Sequence, residues 1–330
     1  MPADIAIGKL RAVPVTASPA APRPDTSGRP RAPWLPWAAL LVVWFVWGST
    51  YLAIRVGVET IPPLLLAAVR FLVAGAVLYP FAVRLGGSAV RAADRPGRRQ
   101  WAAAAVVGTL LLTIGNGGLS YAEQTVPSGL AALLVATVPL WMVAADRLIN
   151  GKPVGPLGCF SLVVGLVGVA ILSRPGGPAG DLTGTFVLLT ASASWGFGSV
   201  LSGRLSLPGR PLVGAAMQML TGGAILFAAS AARGELASLD VAEVSRGSAG
   251  ALLYLIGPGS LLALSAYVLA LQRLTTTTVS TYAYVNPVVA VLLGALLLHE
   301  VISGRIVVGA AVVVLAVALT LTARRKSEAA

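Results

Sequence analysis

From Trp34 to Thr322 the chain is a succession of apolar stretches separated by short polar turns. The hydrocarbon core of a bilayer takes about 20 apolar residues of helix to cross, and inside it each backbone polar group must be bonded within the segment. Ten stretches meet that length, at about 35–54, 62–83, 101–120, 127–145, 155–173, 183–202, 211–230, 249–269, 277–297 and 303–322. The reading is an all-α polytopic membrane protein with ten transmembrane helices. Composition excludes the alternatives. Of 330 residues, 56% are apolar and 11% charged, whereas a soluble domain carries about 25% charged residues to solvate its surface. Disorder of the bulk is excluded by the same figures. A disulfide needs more than Cys159, and Cys159 with His299 is no zinc set.

The net charge of +12 has a topological meaning rather than a nucleic-acid one, because the basic residues lie between apolar runs and not on one soluble face. With the N-terminus inside, eighteen of the 24 basic residues fall in cytoplasmic segments and five outside. Arg70 is left within a span. The count places both termini in the cytoplasm. Residues 1–33, rich in Pro, Ala and Arg, read as a disordered basic cytoplasmic tail, with no signal peptide evident. Residues 323–330 read as a second cytoplasmic tail.

A shift of 148 residues superposes Trp47-Gly48 on Trp195-Gly196, Pro63-Leu64 on Pro211-Leu212, Gly75 on Gly223 and Pro139 on Pro287. The chain therefore reads as two five-helix repeats, 34–173 and 182–322, joined by a linker at 174–181. Five is odd, so the second copy enters the membrane inverted. Inverted repeats typify secondary transporters, whose substrate site lies near the midplane between the copies.

Further stretches are Trp47-Gly48-Ser49-Thr50-Tyr51 with Arg55, Pro62-Pro63 and Arg70-Phe71; Gly115-Asn116-Gly117-Gly118; Ala122-Glu123-Gln124 with Pro127-Ser128-Gly129; Ser194-Trp195-Gly196-Phe197-Gly198-Ser199; and Tyr282-Ala283-Tyr284-Val285-Asn286-Pro287. Over residues 35–322 these resemble the drug/metabolite transporter superfamily with two EamA-type domains, and within it the YedA-type exporters. The resemblance implies a ten-helix carrier of the bacterial inner (plasma) membrane that exports small metabolites, amino acids or drugs. It departs from the family at Lys152, which stands where the second repeat has Glu300.

Arg70 is the basic residue deep in a span; unpaired there it would cost at least about 2.5–3.5 kcal/mol. It therefore needs a carboxylate, exposed carbonyls or a wet cavity, and Glu123 and Glu59 are the candidate carboxylates. It reads as a contact for a substrate anion or an outer gate, against a structural salt bridge; its repeat mate is Gln218. Glu123, at the turn between spans 3 and 4, reads either as a proton-coupling carboxylate or as a solvated rim residue. Glu300 and His299 read as solvated rim residues. Asn116 and Asn286 are amides in apolar runs, able to bond a substrate or a neighbouring helix. Pro139 and Pro287 would free carbonyls near Val135 and Ala283 and act as matched hinges, against tolerated kinks. Trp47, Tyr51, Trp195, Tyr267 and Tyr282 are aromatics able to line a cavity, whereas Trp34, Trp37, Trp101 and Trp141 fit an interfacial belt. Thr275 to Thr278 read as the cap of span 9.

No Walker lysine loop, HExxH, GxSxG or paired acids occur on a span, so neither a cofactor, a metal, ATP nor catalysis is expected. The expected partners are a small-molecule substrate and the lipid bilayer, with protons and a homodimer left open and no nucleic acid. The function read is export by alternating access. The competing readings are an importer or nucleotide-sugar-like carrier of the same fold, and a membrane-embedded enzyme or scaffold.

Overall fold

The computed structural model describes residues 34–84, 96–151, 153–172 and 182–329. The expected tail 1–33, Lys152 and the linker 174–181 lie outside the described residues. Those described form helices and connections, with no strand among them.

The helices are α1 (Leu35–Gly57), α2 (Pro63–Arg84), α3 (Arg98–Ala122), α4 (Ser128–Asn150), α5 (Pro156–Leu172), α6 (Leu182–Ser202), α7 (Pro211–Ala232), α8 (Arg246–Arg273), α9 (Tyr282–Leu297) and α10 (Gly304–Ala329). Eight of them are long and apolar enough to cross a membrane, whereas α5 and α9 are shorter apolar helices. The expected span 9 is interrupted at Ser280-Thr281, after a one-turn helix Thr276–Val279. Thr275 caps that turn, its Oγ1 accepting from Thr278 N at 3.2 Å, because a Thr hydroxyl satisfies an N–H left over at a helix start. The α10 helix runs on through the expected tail to Ala329, since Ala, Arg and Lys are good helix formers.

Local chemistry sets these boundaries. Pro63, Pro156 and Pro211 open α2, α5 and α7, where a missing N–H costs nothing. Gly151 ends α4 with φ +68°, a left-handed conformation that glycine adopts without strain. Three helices contain π-helical segments: Val43–Trp47 in α1, Thr109–Asn116 in α3 and Leu255–Leu262 in α8. The last encloses Gly257-Pro258-Gly259, where proline has no N–H to continue an α ladder. A π segment widens the turn and marks functional positions in many helices.

The packing pattern repeats itself under a shift of five helices. The α2 helix runs along α7, and α5 along α10. Helix α6 packs on α3 and α4, as α1 packs on α8 and α9. Small residues allow these approaches. A Cβ added at Gly48 would lie 2.7 Å from Val289 Cβ, and one at Gly196 2.6 Å from Trp141 Cβ. Gly48 and Gly196 are 148 residues apart, and so are Trp141 and Val289. Trp141 is thus a packing partner of α6.

One end of the bundle is solid. Ile54, Ile61, Leu66, Val126, Leu130, Leu134, Leu188 and Leu255 are buried there in one apolar cluster, where α1 and α3 end and α2 and α4 begin.

Candidate functional site

Below that plug lies a cavity of about 590 Å³, within the size range of small-molecule sites. It reaches the opposite end of the bundle, where Ser199 and Ser202 of α6 and Ala215 of α7 line it. Its wall brings together Trp47, Tyr51, Arg70, Asn116, Trp195, Gln218, Tyr267, Tyr282 and Asn286, with both Pro139 and Pro287. Glu123 is absent from the wall and stands in the plug.

Arg70 is 7% exposed. Its Nε donates to Ser260 Oγ at 2.9 Å, and its guanidinium carbon lies 4.8 Å above the Phe71 ring. The expected pairing with Glu123 or Glu59 does not occur. Arg70 sits two turns into α2, and its side chain crosses to the π segment of α8, while Glu59 is exposed on the turn before α2.

The π segments and the cavity's polar groups are one system. A π turn leaves carbonyls without their usual partner, and buried carbonyls need donors. Ser260 Oγ donates to Leu255 O at 2.8 Å in α8. Asn116 Nδ2 donates to Leu111 O at 3.4 Å in α3, and Ser194 Oγ to Leu110 O at 2.8 Å. In α1, Trp44 O faces the Asn286 amide, which, with its nitrogen turned to satisfy its surroundings, donates to Trp44 O at 3.1 Å and to Tyr282 O at 3.2 Å. Both asparagines therefore bond helix carbonyls. Trp47, Tyr267 and Tyr282 form a packed triad with ring centroids 5.2, 5.3 and 5.8 Å apart.

The two prolines behave differently. The helix breaks at Ala136-Thr137, just before Pro139, and Thr137 Oγ1 closes the break on Leu134 O at 2.6 Å. Pro287 sits inside a continuous α9, whose turn the Asn286 amide ties to α1. The matched pair of breaks is thus one break and one unbroken helix.

At the plug, Arg55 Nη1 donates to the carbonyls of Glu123 and Gln124 at 2.6 and 2.8 Å, joining α1 to the end of α3. The Glu123 carboxyl is fully buried, and neither oxygen has a hydrogen-bond partner among the described residues; the solvated-rim reading is overturned. Burial and the Glu300 charge push this carboxyl well above the usual carboxylate range, with Arg55 opposing. Glu300 is no free rim residue either. It accepts from Ser128 N and Oγ, both at 2.8 Å, and from Gly129 N at 3.1 Å, capping α4 from the end of α9. His299, beside it, is exposed as expected.

Sequence reasoning missed Ser260 and the plug role of Arg55. Gly257-Pro258-Gly259 was the available signal for the first, since a proline between glycines inside an apolar run marks a helix that cannot stay α.

The EamA-like transporter family matches the chain twice, over residues 34–174 and 182–322. The chain belongs to that family. It is 40% identical over 282 residues to the inner membrane transporter YedA of Escherichia coli (strain K12), covering 85% of this chain and 89% of YedA. A probable amino-acid metabolite efflux pump of Salmonella typhimurium is 26% identical, over 83% of this chain and 90% of the pump. A solved crystal structure shares the fold with a TM-score of 0.58 at 22% identity, covering 88% of this chain and 98% of its own. The EamA-family chain is thus a multi-pass inner-membrane transporter and not an enzyme.

Proposed function

We propose that the protein is a secondary carrier that exports small molecules by alternating access, captured here with its cavity facing the cytoplasm. The single observation that carries this is the asymmetry of the bundle: a cavity of about 590 Å³ reaches one end, and a cluster of buried apolar side chains fills the other. The proposed topology has ten spans, α5 and α9 included, as two inverted repeats with both termini cytoplasmic. The packing repeated under a five-helix shift and the distribution of basic residues support it. In that topology the open end is cytoplasmic. Export would then proceed by parting α1 from the α3–α4 turn, where Arg55 now joins them.

Proton coupling belongs to the same proposal, with Glu123 as the carrier of the proton. Its buried carboxyl without a partner supports this, because such a group is stable when neutral and ionises when water reaches it. Tyr51, one helical turn before Arg55 on α1, lines the cavity and interacts electrostatically with Glu123.

The test is flux in liposomes holding the full chain, loaded with amino-acid and drug panels. Accumulation of an unchanged solute that responds to an imposed pH gradient supports the proposal. Chemical conversion of the solute, or no movement of any, sinks it. An active periplasmic phosphatase fused at the C-terminus would overturn the topology.

A further inference from the structure

The carrier's cavity holds one formal charge among its wall residues, and that charge is positive. Arg70 lines it, and among the described residues no Asp or Glu does. Guanidinium stays protonated at any physiological pH. A buried cation without a counter-ion is costly, and proteins pair such charges or give them a metal or substrate to meet. Here the protein supplies only a neutral hydroxyl and an aromatic face. Ser260 occupies Nε, Phe71 lies under the guanidinium plane, and neither Nη has an acceptor among the described residues. Those two groups are not sealed inside protein either, so the outer edge of the fork faces the cavity.

We infer that the missing counter-ion is the substrate itself: the site takes an organic monoanion, a carboxylate on an apolar body. The inference rests on the carrier reading above and names its substrate class. The free Nη edge of a fixed, planar fork matches two carboxylate oxygens side by side. A single positive charge balances one negative charge, not the two or more of a nucleotide or sugar phosphate. The rest of the wall carries neutral hydroxyls and amides, such as Ser199, Gln218 and Asn286, among apolar and aromatic side chains that include Leu111, Leu112 and Leu119.

The triad does not make the site a cation cage. A cage presents ring faces around a void, with the cation within about 6 Å of each centroid. Trp47, Tyr267 and Tyr282 instead turn edges to one another's faces, at interplanar angles of 80° and 86° in two of the three pairs. Their mutual spacing of 5.2 to 5.8 Å leaves no room for an ammonium between them. The rings form a wall for the body of the anion.

Three probes with one body and different head groups test this: phenylbutyrate, phenylbutyramide and phenylbutylammonium. Binding to the purified full chain is read by thermal stabilisation, and flux by uptake into liposomes corrected for protein-free vesicles. The acid is expected to bind about tenfold or more tightly than the amide, the discrimination a charge-assisted hydrogen bond gives. Arg70→Gln should erase that preference, and Arg70→Lys, which keeps the charge but not the fork, should retain part of it. The wild-type comparison needs no variant to fold. Equal binding of the three, strongest binding of the ammonium, or no binding of the acid overturns the inference. Flux of the amide equal to that of the acid overturns it while leaving the carrier reading standing. Selective binding of the acid with no flux leaves the anion site standing and removes the carrier reading.

Discussion

Gly75 and Leu220 meet across α2 and α7 so closely that a Cβ on Gly75 would lie 3.0 Å from both Leu220 Cγ and Leu220 N. Gly223 and Leu72 repeat the contact at the same two distances, and the four residues form two pairs 148 apart. Gly75→Leu should therefore overpack the α2–α7 seam and cost about 1–3 kcal/mol. Thermal unfolding in detergent measures this. Leu220→Ala, which clears the facing side chain, should recover part of the loss, and a double-mutant cycle should show coupling between the two positions. Additive effects would mean that Gly75 and Leu220 are not in contact along the seam.

Glu123 carries a pH prediction whose sign is fixed. Its folded-state affinity for a proton is raised by burial first and by Glu300 second, against Arg55 on α1; the Tyr51 hydroxyl is the other titratable group coupled to it. The native chain thus holds this proton when the unfolded chain has released it. Stability should fall as pH rises above about 4.3, the unfolded value for Glu, with a limiting slope of about 1.4 kcal/mol per pH unit. It should level off once the folded carboxyl ionises. Glu123→Gln should remove that slope and be more stable than wild type at neutral pH. Identical pH profiles for the two proteins would contradict the burial of this carboxyl.

Arg55 fastens α1 to the end of α3 through two carbonyls. Arg55→Met removes both bonds while keeping an apolar stem. The plug should then open more often, so a cysteine at Val126, buried in the plug, should react faster with an impermeant maleimide added to the purified protein. The natural thiol, Cys159, is exposed and must first become Ala. Unchanged labelling would show that the apolar cluster closes this end without Arg55.

Ser260 joins two requirements, accepting from Arg70 and donating to the carbonyl that the π segment leaves open. Ser260→Ala should cost about 1–3 kcal/mol, because it leaves a buried carbonyl and a charged donor each short of a partner. Ser260→Thr, which keeps the hydroxyl, should cost less. Thermal unfolding of both variants separates loss of the hydroxyl from loss of shape.

Glu300 stands in for the side-chain cap that α4 lacks. Glu300→Gln keeps one acceptor oxygen and loses the charge that favours a helix N-terminus, and Glu300→Ala loses all three bonds. The expected order of stability is wild type, Gln, Ala, with the last about 0.5–2 kcal/mol below the first. Equal stabilities would show that water replaces the cap.

Much of the architecture was legible because a bilayer imposes length and apolarity on any helix that crosses it. The 148-residue offset was legible for a different reason: tryptophans and prolines at matched positions are rare enough to stand out. The plug was not. In a membrane protein the lipid-facing and protein-facing sides of a helix are both apolar, so Leu130 and Leu134 of the plug read like Phe160 and Leu166, which are exposed on α5. Hydropathy has no contrast there. The partner of Arg70 was not legible because a buried guanidinium ordinarily meets a carboxylate, whereas here a hydroxyl and an aromatic face hold it. Glu123 admits a rim reading because its turn is polar in sequence, although its side chain is fully buried and Arg55 of α1 holds its carbonyl.

The reciprocal glycine contacts also bind the two halves of the chain to a common history. A bulkier residue at either glycine strikes the opposite repeat, and a change at either leucine alters the space open to the other copy. Neither half can be remodelled alone along that seam. Divergence between the copies is instead free where no such reciprocity exists, as at Arg70 and its mate Gln218. A duplicated, symmetrical gene product can thereby acquire a one-sided preference for its cargo without loosening the joint that holds it together.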